Sequence, residues 1–494
     1  MKTTFIKKFI CISLVLTLLL CGCNTVPNGE ENTTEGSVTQ AVKKEPIQSV
    51  SVAPENAVIP FLGGIVASTP SYGDLYLYGL MTPQGEIVVE PIYEEWYLFE
   101  NGDEAFYCMK NTDQLTNSET PDCLDSTLYS LDGTKLLTLE HEIVYLDSDR
   151  IVTKGRGTQK IAVYDRGCNF VFGTAEGENA EGIFSEGLML IVTQDKPNYV
   201  VDKNGDTVID GVYVCKKFTD GKAIFSDAND FYGIISADDK QLMEPYCNDI
   251  YRYQDYFICE MTAYFEVYSE DLELLATADH FKNWHYNFEF ATYKGRAIYR
   301  YTAFDGEKEP FRDLLTNETV DFPKGFTVER VTAKDDFFIA SKEDGTSALI
   351  DTNGKILLRD EDVSDTKYDN VLYSAHYDET NAYYTYYNAL TLEKIIELSY
   401  DTQQKMRPVH GIVEGCDYVA VGDLDFVIET LYEGTFGLYN YKTGKYVFEG
   451  CENCFIENHF GTIYITVAYK DKIQFYNNDL ELIKEISNAL EGEF

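Results

Sequence analysis

Tyr78-Gly79-Leu80-Met81-Thr82-Pro83-Gln84-Gly85-Glu86-Ile87-Val88-Val89-Glu90-Pro91-Ile92-Tyr93 decides the fold. Two apolar residues run into a Gly-centred turn, and a second apolar segment leaves it, which is a β-hairpin pattern. The pattern returns at Tyr232-Gly233-Ile234-Ile235, with Asp239 at the turn and Leu242-Met243-Glu244-Pro245-Tyr246 after it, at the same spacing from Tyr to Pro. A third copy keeps Val200-Val201, Gly205, Val208-Ile209 and Tyr213 in register, with Gly211 in place of Pro. An internal period of this kind decides architecture before any local reading does.

Further copies extend the series. Leu128-Tyr129 leads to Gly133 and Leu349-Ile350 to Gly354, and Asp132-Gly133, Asn204-Gly205 and Asn353-Gly354 are strong short-turn signals because such turns need positive φ. Weaker copies centre on Arg166, Asp238, Asp271, Asn317, Leu392, Thr443 and Asp479, giving about eleven hairpins at intervals of about 39 residues. Between them lie further strand segments at 105–109, 188–193, 223–226, 256–261, 297–301, 337–341 and 463–468. Each unit therefore holds three or four short strands, and sustained 3.6-residue periodicity is missing. The chain reads as all-β, a propeller-like stack of small antiparallel sheets, with an open β-solenoid as the alternative. Eleven units exceed the usual 4 to 8 blades, leaving a large ring, two smaller rings or an open stack as the choices.

Tyr-Gly, two apolar residues, a Gly turn and a closing Glu-Pro-x-Tyr resemble the bacterial WG-repeat family, with Tyr78-Gly79, Tyr232-Gly233 and Phe436-Gly437 standing where that family usually has Trp-Gly. The resemblance is good over two units and fair over four or five. It implies a surface or envelope β-repeat and brings no catalytic residues with it. On the residues themselves, Gly serves the turn, Pro ends the strand and Tyr packs between neighbouring units.

The first 22 residues read as a targeting segment: Lys2, Lys7 and Lys8 precede the apolar stretch 9–20, which is too short to span a bilayer. Leu20-Cys21-Gly22-Cys23 resembles the lipobox of bacterial lipoproteins, and that resemblance implies lipidation at Cys23 and a membrane contact made through acyl chains. Residues 23–57 lack aromatic residues and regular periodicity, as a flexible tether does, with an r.m.s. reach of roughly 30 Å. Residues 58–494 carry the repeats. The expected location is the outer side of the cytoplasmic membrane.

With 83 Asp and Glu against 40 Lys and Arg, the net charge is −43. Nucleic acid is an unfavourable partner for such a chain, because its binding depends on neutralising phosphates. The 38 Tyr and 29 Phe, against only two Trp, are strand composition and also a source of stacking surface. Two aromatic clusters stand out as ligand-binding candidates: Tyr373, Tyr377, Tyr383, Tyr384, Tyr386 and Tyr387, and Trp284-His285-Tyr286 with Phe288 and Phe290. Alternation along a strand sets Tyr384 and Tyr386 on one face and Tyr383 and Tyr387 on the other.

Cys108 and Cys123 flank the polar insertion 111–122, which a disulfide could close, and Cys451 and Cys454 form a lone CxxC suited to a vicinal disulfide or to free thiols. Structural zinc would need two more ligands, and Asp202-Lys203-Asn204-Gly205-Asp206 begins like a calcium loop but has Tyr213 where the bidentate Glu belongs. The six histidines are scattered, and nucleophile elbow, Walker loop and dinucleotide fingerprint are all missing. No cofactor or metal is expected. The sequence points to a non-enzymatic binding surface for a protein or an envelope polysaccharide, with an envelope hydrolase of glycan or peptide as the alternative.

Overall fold

The computed structural model describes residues 56–487 except 70–72, 102–103, 113–122, 156–159, 181, 195–196, 280–286, 303–307, 333–336, 361, 367–369, 379–381, 400–405, 409–410 and 424–435. Every regular element among the described residues is a strand of an antiparallel sheet, and there are eleven sheets of three or four strands. We number them as blades 1 to 11: residues 59–93, 95–140, 142–173, 178–212, 214–247, 249–279, 287–313, 327–360, 362–399, 406–451 and 453–487. Within a blade the strands pair in chain order and are lettered A to D.

The eleven hairpins read from the sequence are the C–D turns of ten blades and, in blade 7, the turn that follows strand C and returns to the bridge between Arg312 and Thr319. Each carries one residue in the left-handed region, with φ between 57° and 86°: Gly85, Gly133, Cys168, Gly205, Asp239, Leu272, Asn317, Gly354, Leu392, Gly444 and Leu480. In blade 4 the Gly205 N–H donates to Asp202 O at 3.1 Å and the Asp202 N–H to Asp206 O at 2.9 Å, closing a three-residue loop. Asp202 Oδ1 accepts the N–H groups of Asn204 and Asp206 at 2.8 and 3.0 Å, so this carboxylate builds the turn. A second set of hairpins, the A–B turns, went unread in the sequence. Asp220-Gly221, Lys294-Gly295 and Phe460-Gly461 take positive φ at both positions, as two-residue turns of type I′ do.

Strands B and C are buried on both faces. In blade 5, Lys222–Ser226 has four buried residues in a row and Tyr232–Ser236 has three, whereas the outer strand Gln241–Cys247 buries only Met243 and Cys247. Sandwiching between neighbours explains the continuous apolar runs, since a sheet covered on both sides loses its inside–outside alternation.

Eleven apolar clusters fill eleven seams. Ten join consecutive blades, as where Cys108 and Leu128 of blade 2 meet Ile143 and Ile151 of blade 3. The eleventh joins Phe61, Leu62 and Met81 of blade 1 to Tyr464, Ile473 and Phe475 of blade 11. The blades thus form one closed ring, a β-propeller, and neither two rings nor an open solenoid. Sheets pack about 10 Å apart, so eleven of them describe a circle roughly 35 Å across at mid-blade. Among the described residues blade 1 lacks an A strand. Through that gap Trp96 of blade 2 reaches His459 of blade 11, ring centroids 5.7 Å apart, which shows that the A strands converge on the ring's inner rim. Ala57 and Val58, at the expected end of the tether, are buried in the seam between blades 1 and 2, with the Val58 N–H donating to Leu131 O at 2.8 Å.

Pro does not end the strand. Tyr232 pairs with Cys247 and Ile234 with Met243, so the D strand carries two extra residues opposite Gly233, and Pro245 lies among them. Blade 1 repeats this arrangement with Tyr78 opposite Tyr93, Leu80 opposite Val89, and Pro91 in the bulge. A Pro is tolerated there because the bulge and the outer edge demand no ladder N–H from it. The bulge also explains the glycine. A Cβ on Gly233 would stand 2.5 Å from Met243 O, and one on Gly79 would stand 2.4 Å from Val89 O.

Turns at one end of the ring also tie blades together. Asp147 of blade 3 accepts Tyr145 Oη at 2.8 Å, the N–H groups of Asp149 and Arg150 at 2.7 Å each, and Lys203 Nζ of blade 4 at 2.7 Å. Burial alone would raise its pKa, but Lys203 and these hydrogen bonds outweigh burial and hold it below the usual carboxylate value.

Two outcomes are expected. Gly233→Ala should destabilise the ring by about 1–3 kcal/mol, because the added methyl meets backbone rather than a movable side chain; thermal unfolding reads the loss. Asp147→Asn should cost about 1–3 kcal/mol at pH 7. A depressed carboxylate stabilises above its unfolded pKa of about 3.9, and that contribution disappears as pH falls through the folded value, so the two proteins should begin to converge in thermal stability as pH drops below about 4 and meet only below the folded value.

Candidate functional site: a cationic and aromatic recess on the inner rim

Strand A of blade 6 (Asp249–Tyr253) and strand A of blade 7 (Asn287–Tyr293) lie side by side on the inner rim. Their alternate residues point the same way, so Tyr251 and Tyr253 meet Phe288 and Phe290. The Tyr251 and Phe288 centroids are 5.1 Å apart, those of Tyr253 and Phe290 5.4 Å, and the two Phe rings are parallel within 1° at 5.5 Å. Offset contacts in this range stabilise the row beyond the area it buries. Burial and the Glu260 carboxylate, which accepts Tyr251 Oη at 3.1 Å, push the Tyr251 pKa up, and so the ring stays a neutral donor.

Beside this row, blades 5, 6 and 7 enclose a recess of about 510 Å³, lined by Tyr251, Phe257, Phe288 and Phe290 together with Lys216, Lys217, Lys222 and Arg252. No carboxylate is among the described residues that line it. The two cations contributed near the blade 5–6 seam are held by partners. Lys216 pairs with Asp249 at 3.4 Å and donates to Ile250 O at 3.1 Å. Arg252 donates to Thr219 O at 2.9 Å, to Asp220 at 2.6 Å and to Glu270 at 3.1 Å. Lys217 and Lys222 form no ion pair among the described residues.

A second cavity, of about 570 Å³, lies between blades 7 and 8. Its main cation, Arg300, is fully committed: the guanidinium donates to Glu289 at 2.6 Å, Val328 O at 2.6 Å and Glu329 O at 2.8 Å, over the Phe311 ring at 4.5 Å. Arg300 is a fastening across that seam.

The structure divides the residues singled out by sequence. Cys23 and Trp284 lie outside the described residues, while Phe288 and Phe290 from the Trp284 cluster line the recess. In blade 9, Tyr373 stands opposite Tyr386, Ala375 opposite Tyr384, and Tyr377 opposite Ala382. Directly opposed residues share a face, so Tyr373, Tyr377, Tyr384 and Tyr386 lie together on the face toward blade 10, where Tyr386 packs against the seam. Tyr387 packs on the other face, against blade 8, as alternation required. Tyr377 is 45% exposed, and the other three of that face are half-buried. They do not adjoin the recess on the rim.

The structure corrects the expected Cys108–Cys123 bond, and for Cys451 and Cys454 the free-thiol alternative holds. Cys108 and Cys123 are free thiols, and Cys123 pairs with Thr112, four positions along the strand from Cys108. Four residues of strand span about 13 Å, well beyond the Cα separation of about 7 Å that a disulfide tolerates. Cys451 and Cys454 are also free and buried, in the apolar seam between blades 10 and 11, with Cys451 Sγ donating to Phe436 O at 3.0 Å. They belong to different blades but face the same seam. Burial pushes the Cys108 thiol up to about 12 and that of Cys451 to about 11. Among the described residues no group of three His, Cys, Asp or Glu side chains is arranged to hold a metal ion.

The recess had a legible sequence signal that went unread. Lys216, Lys217 and Lys222 fall within seven positions in a chain where acids outnumber bases two to one. What brings Arg252 and the Phe pair to them is the packing of three consecutive blades.

No family model matches the chain, and no curated protein matches it, so the WG-repeat resemblance rests on the residues that carry it. Among solved structures, a eukaryotic initiation factor is similar at 10% identity over 79% of this chain and 95% of its own, with a TM-score of 0.37. BamB from Moraxella catarrhalis is similar at 10% identity over 70% of this chain and 94% of its own, with a TM-score of 0.25. The dihydro-heme d1 dehydrogenase NirN, in complex with DHE, is similar at 13% identity over 56% of this chain and 71% of its own, with a TM-score of 0.31. At these scores the likenesses add nothing to what the eleven closed seams establish.

The thiol assignment has a direct check. Titration of the unfolded protein without reductant should find all nine cysteines that follow Cys23 reactive, and the folded protein should label slowly because burial disfavours the reactive thiolate. A Cys451–Cys454 or Cys108–Cys123 bond found by mass spectrometry would contradict it.

Proposed function

We propose that this chain is a lipid-anchored β-propeller outside the cytoplasmic membrane that works without catalysis, holding a protein or an envelope polysaccharide on its ring. Cys23 is the lipidated residue in this reading and residues 24–57 are the tether. The single observation that supports a binding role most strongly is the inner-rim recess, where three blades bring four cations and a row of aromatic rings together. Concave sites that combine apolar rings with a few placed polar groups are typical of ligand binding. The net charge of −43 keeps the ring dispersed and away from anionic headgroups, which leaves the acyl chains as the membrane contact.

Two measurements test the reading. A fatty-acid analogue supplied to cells should label the wild-type protein and leave Cys23→Ala unlabelled. Detergent-solubilised full-length protein should retain an envelope component that survives washing. Label in both proteins would overturn the anchor, and the lack of any retained component would overturn the platform.

A further inference from the structure

We infer that the inner-rim recess of blades 5 to 7 is a binding site for an acidic polysaccharide, a sugar chain bearing carboxylate or phosphate groups. The inference deepens the platform reading above and rests on it.

Charge comes first. The chain has about half as many basic as acidic residues, yet the charged residues lining the recess are Lys216, Lys217, Lys222 and Arg252, all cations. Ion pairs with Asp249, Asp220 and Glu270 fix Lys216 and Arg252 in place. Lys217 and Lys222 have no ion-pair partner among the described residues, and an anionic ligand group would complete them through charge-assisted hydrogen bonds.

The aromatic residues narrow the class. Tyr251, Phe288 and Phe290 offer ring surface on the same recess, and the C–H face of a sugar stacks on such rings while its anionic substituent turns to the lysines. A nucleic acid lacks this fit, because its dense phosphates would meet the long-range repulsion of a chain at −43. A sugar polymer with one charge per unit or fewer suffers less repulsion and keeps the local attraction. The recess is open to one side rather than closed, so a chain can lie across it rather than having to end in it.

The test uses full-length protein in detergent and four probes of matched length: an oligogalacturonate, a mannose-phosphate oligomer, a neutral galactan oligomer and poly-glutamate. Calorimetry should show binding of at least one of the first two and none of the neutral sugar, with carboxylate and phosphate chains told apart by which binds more tightly. Lys217→Glu with Lys222→Glu should weaken binding by about tenfold or more at unchanged thermal stability. Phe290→Ala should weaken it as well, and added salt should weaken it in the wild type. Equal binding of the neutral sugar, equal or tighter binding of poly-glutamate, no binding of either acidic sugar, or indifference to the lysine changes would each overturn the assignment. If the double variant still retains its envelope component, the recess assignment falls and the platform reading stands.

Discussion

A single blade of this ring cannot cover its own strands, so stability depends on the seam between one sheet and the next. Strands B and C carry apolar residues on both faces, and each face is shielded only when a neighbour packs against it. Fully buried residues such as Phe257, Ile258 and Cys259 are divided between two different seams although they are adjacent in one strand. This makes the eleven interfaces a cycle in which the last, between Phe61 and Phe475, obeys the same rule as the other ten. An open stack would expose one such face at each end. Closing the ring removes both at once.

The repeat's fixed residues serve this geometry. Gly79 and Gly233 lie beneath a bulge whose carbonyls leave no room for a side chain, and Pro91 and Pro245 sit within the bulge on the outer edge. A proline-bearing bulge on an exposed strand also blunts the edge against pairing with another chain. The C–D turns keep their left-handed residue even where glycine is gone: Cys168, Leu272, Leu392 and Leu480 take the strained conformation that Gly133 and Gly205 take freely. Those copies looked degraded in the sequence because the turn geometry is imposed by the two strands it joins and by neighbouring blades, not by the local residue alone.

Electrostatics follows from the same arrangement. A chain this acidic gains little by scattering its bases, and the structure concentrates several at seams. Asp147 with Lys203 ties blades 3 and 4, Arg300 ties blades 7 and 8, and Arg252 ties blades 5 and 6. Lys217 and Lys222 form no ion pair among the described residues, and the proposed site grows out of their meeting Phe288 and Phe290 in one recess.

The sequence by itself determined the all-β class, the eleven hairpin units, the positions of most inner strands and the alternation of the blade 9 tyrosines. These are written in local spacing: two apolar residues, a turn, two more, with a period of 2 along each strand. Tertiary structure alone decided three things. The ring closes because residues near 60 pack on residues near 475, a contact that no local pattern encodes. Cys451 and Cys454 are buried because both face the seam where blade 11 packs on blade 10. The recess exists because blades 5, 6 and 7 each contribute a part of its wall, and side chains some seventy positions apart become neighbours only when sheets stack.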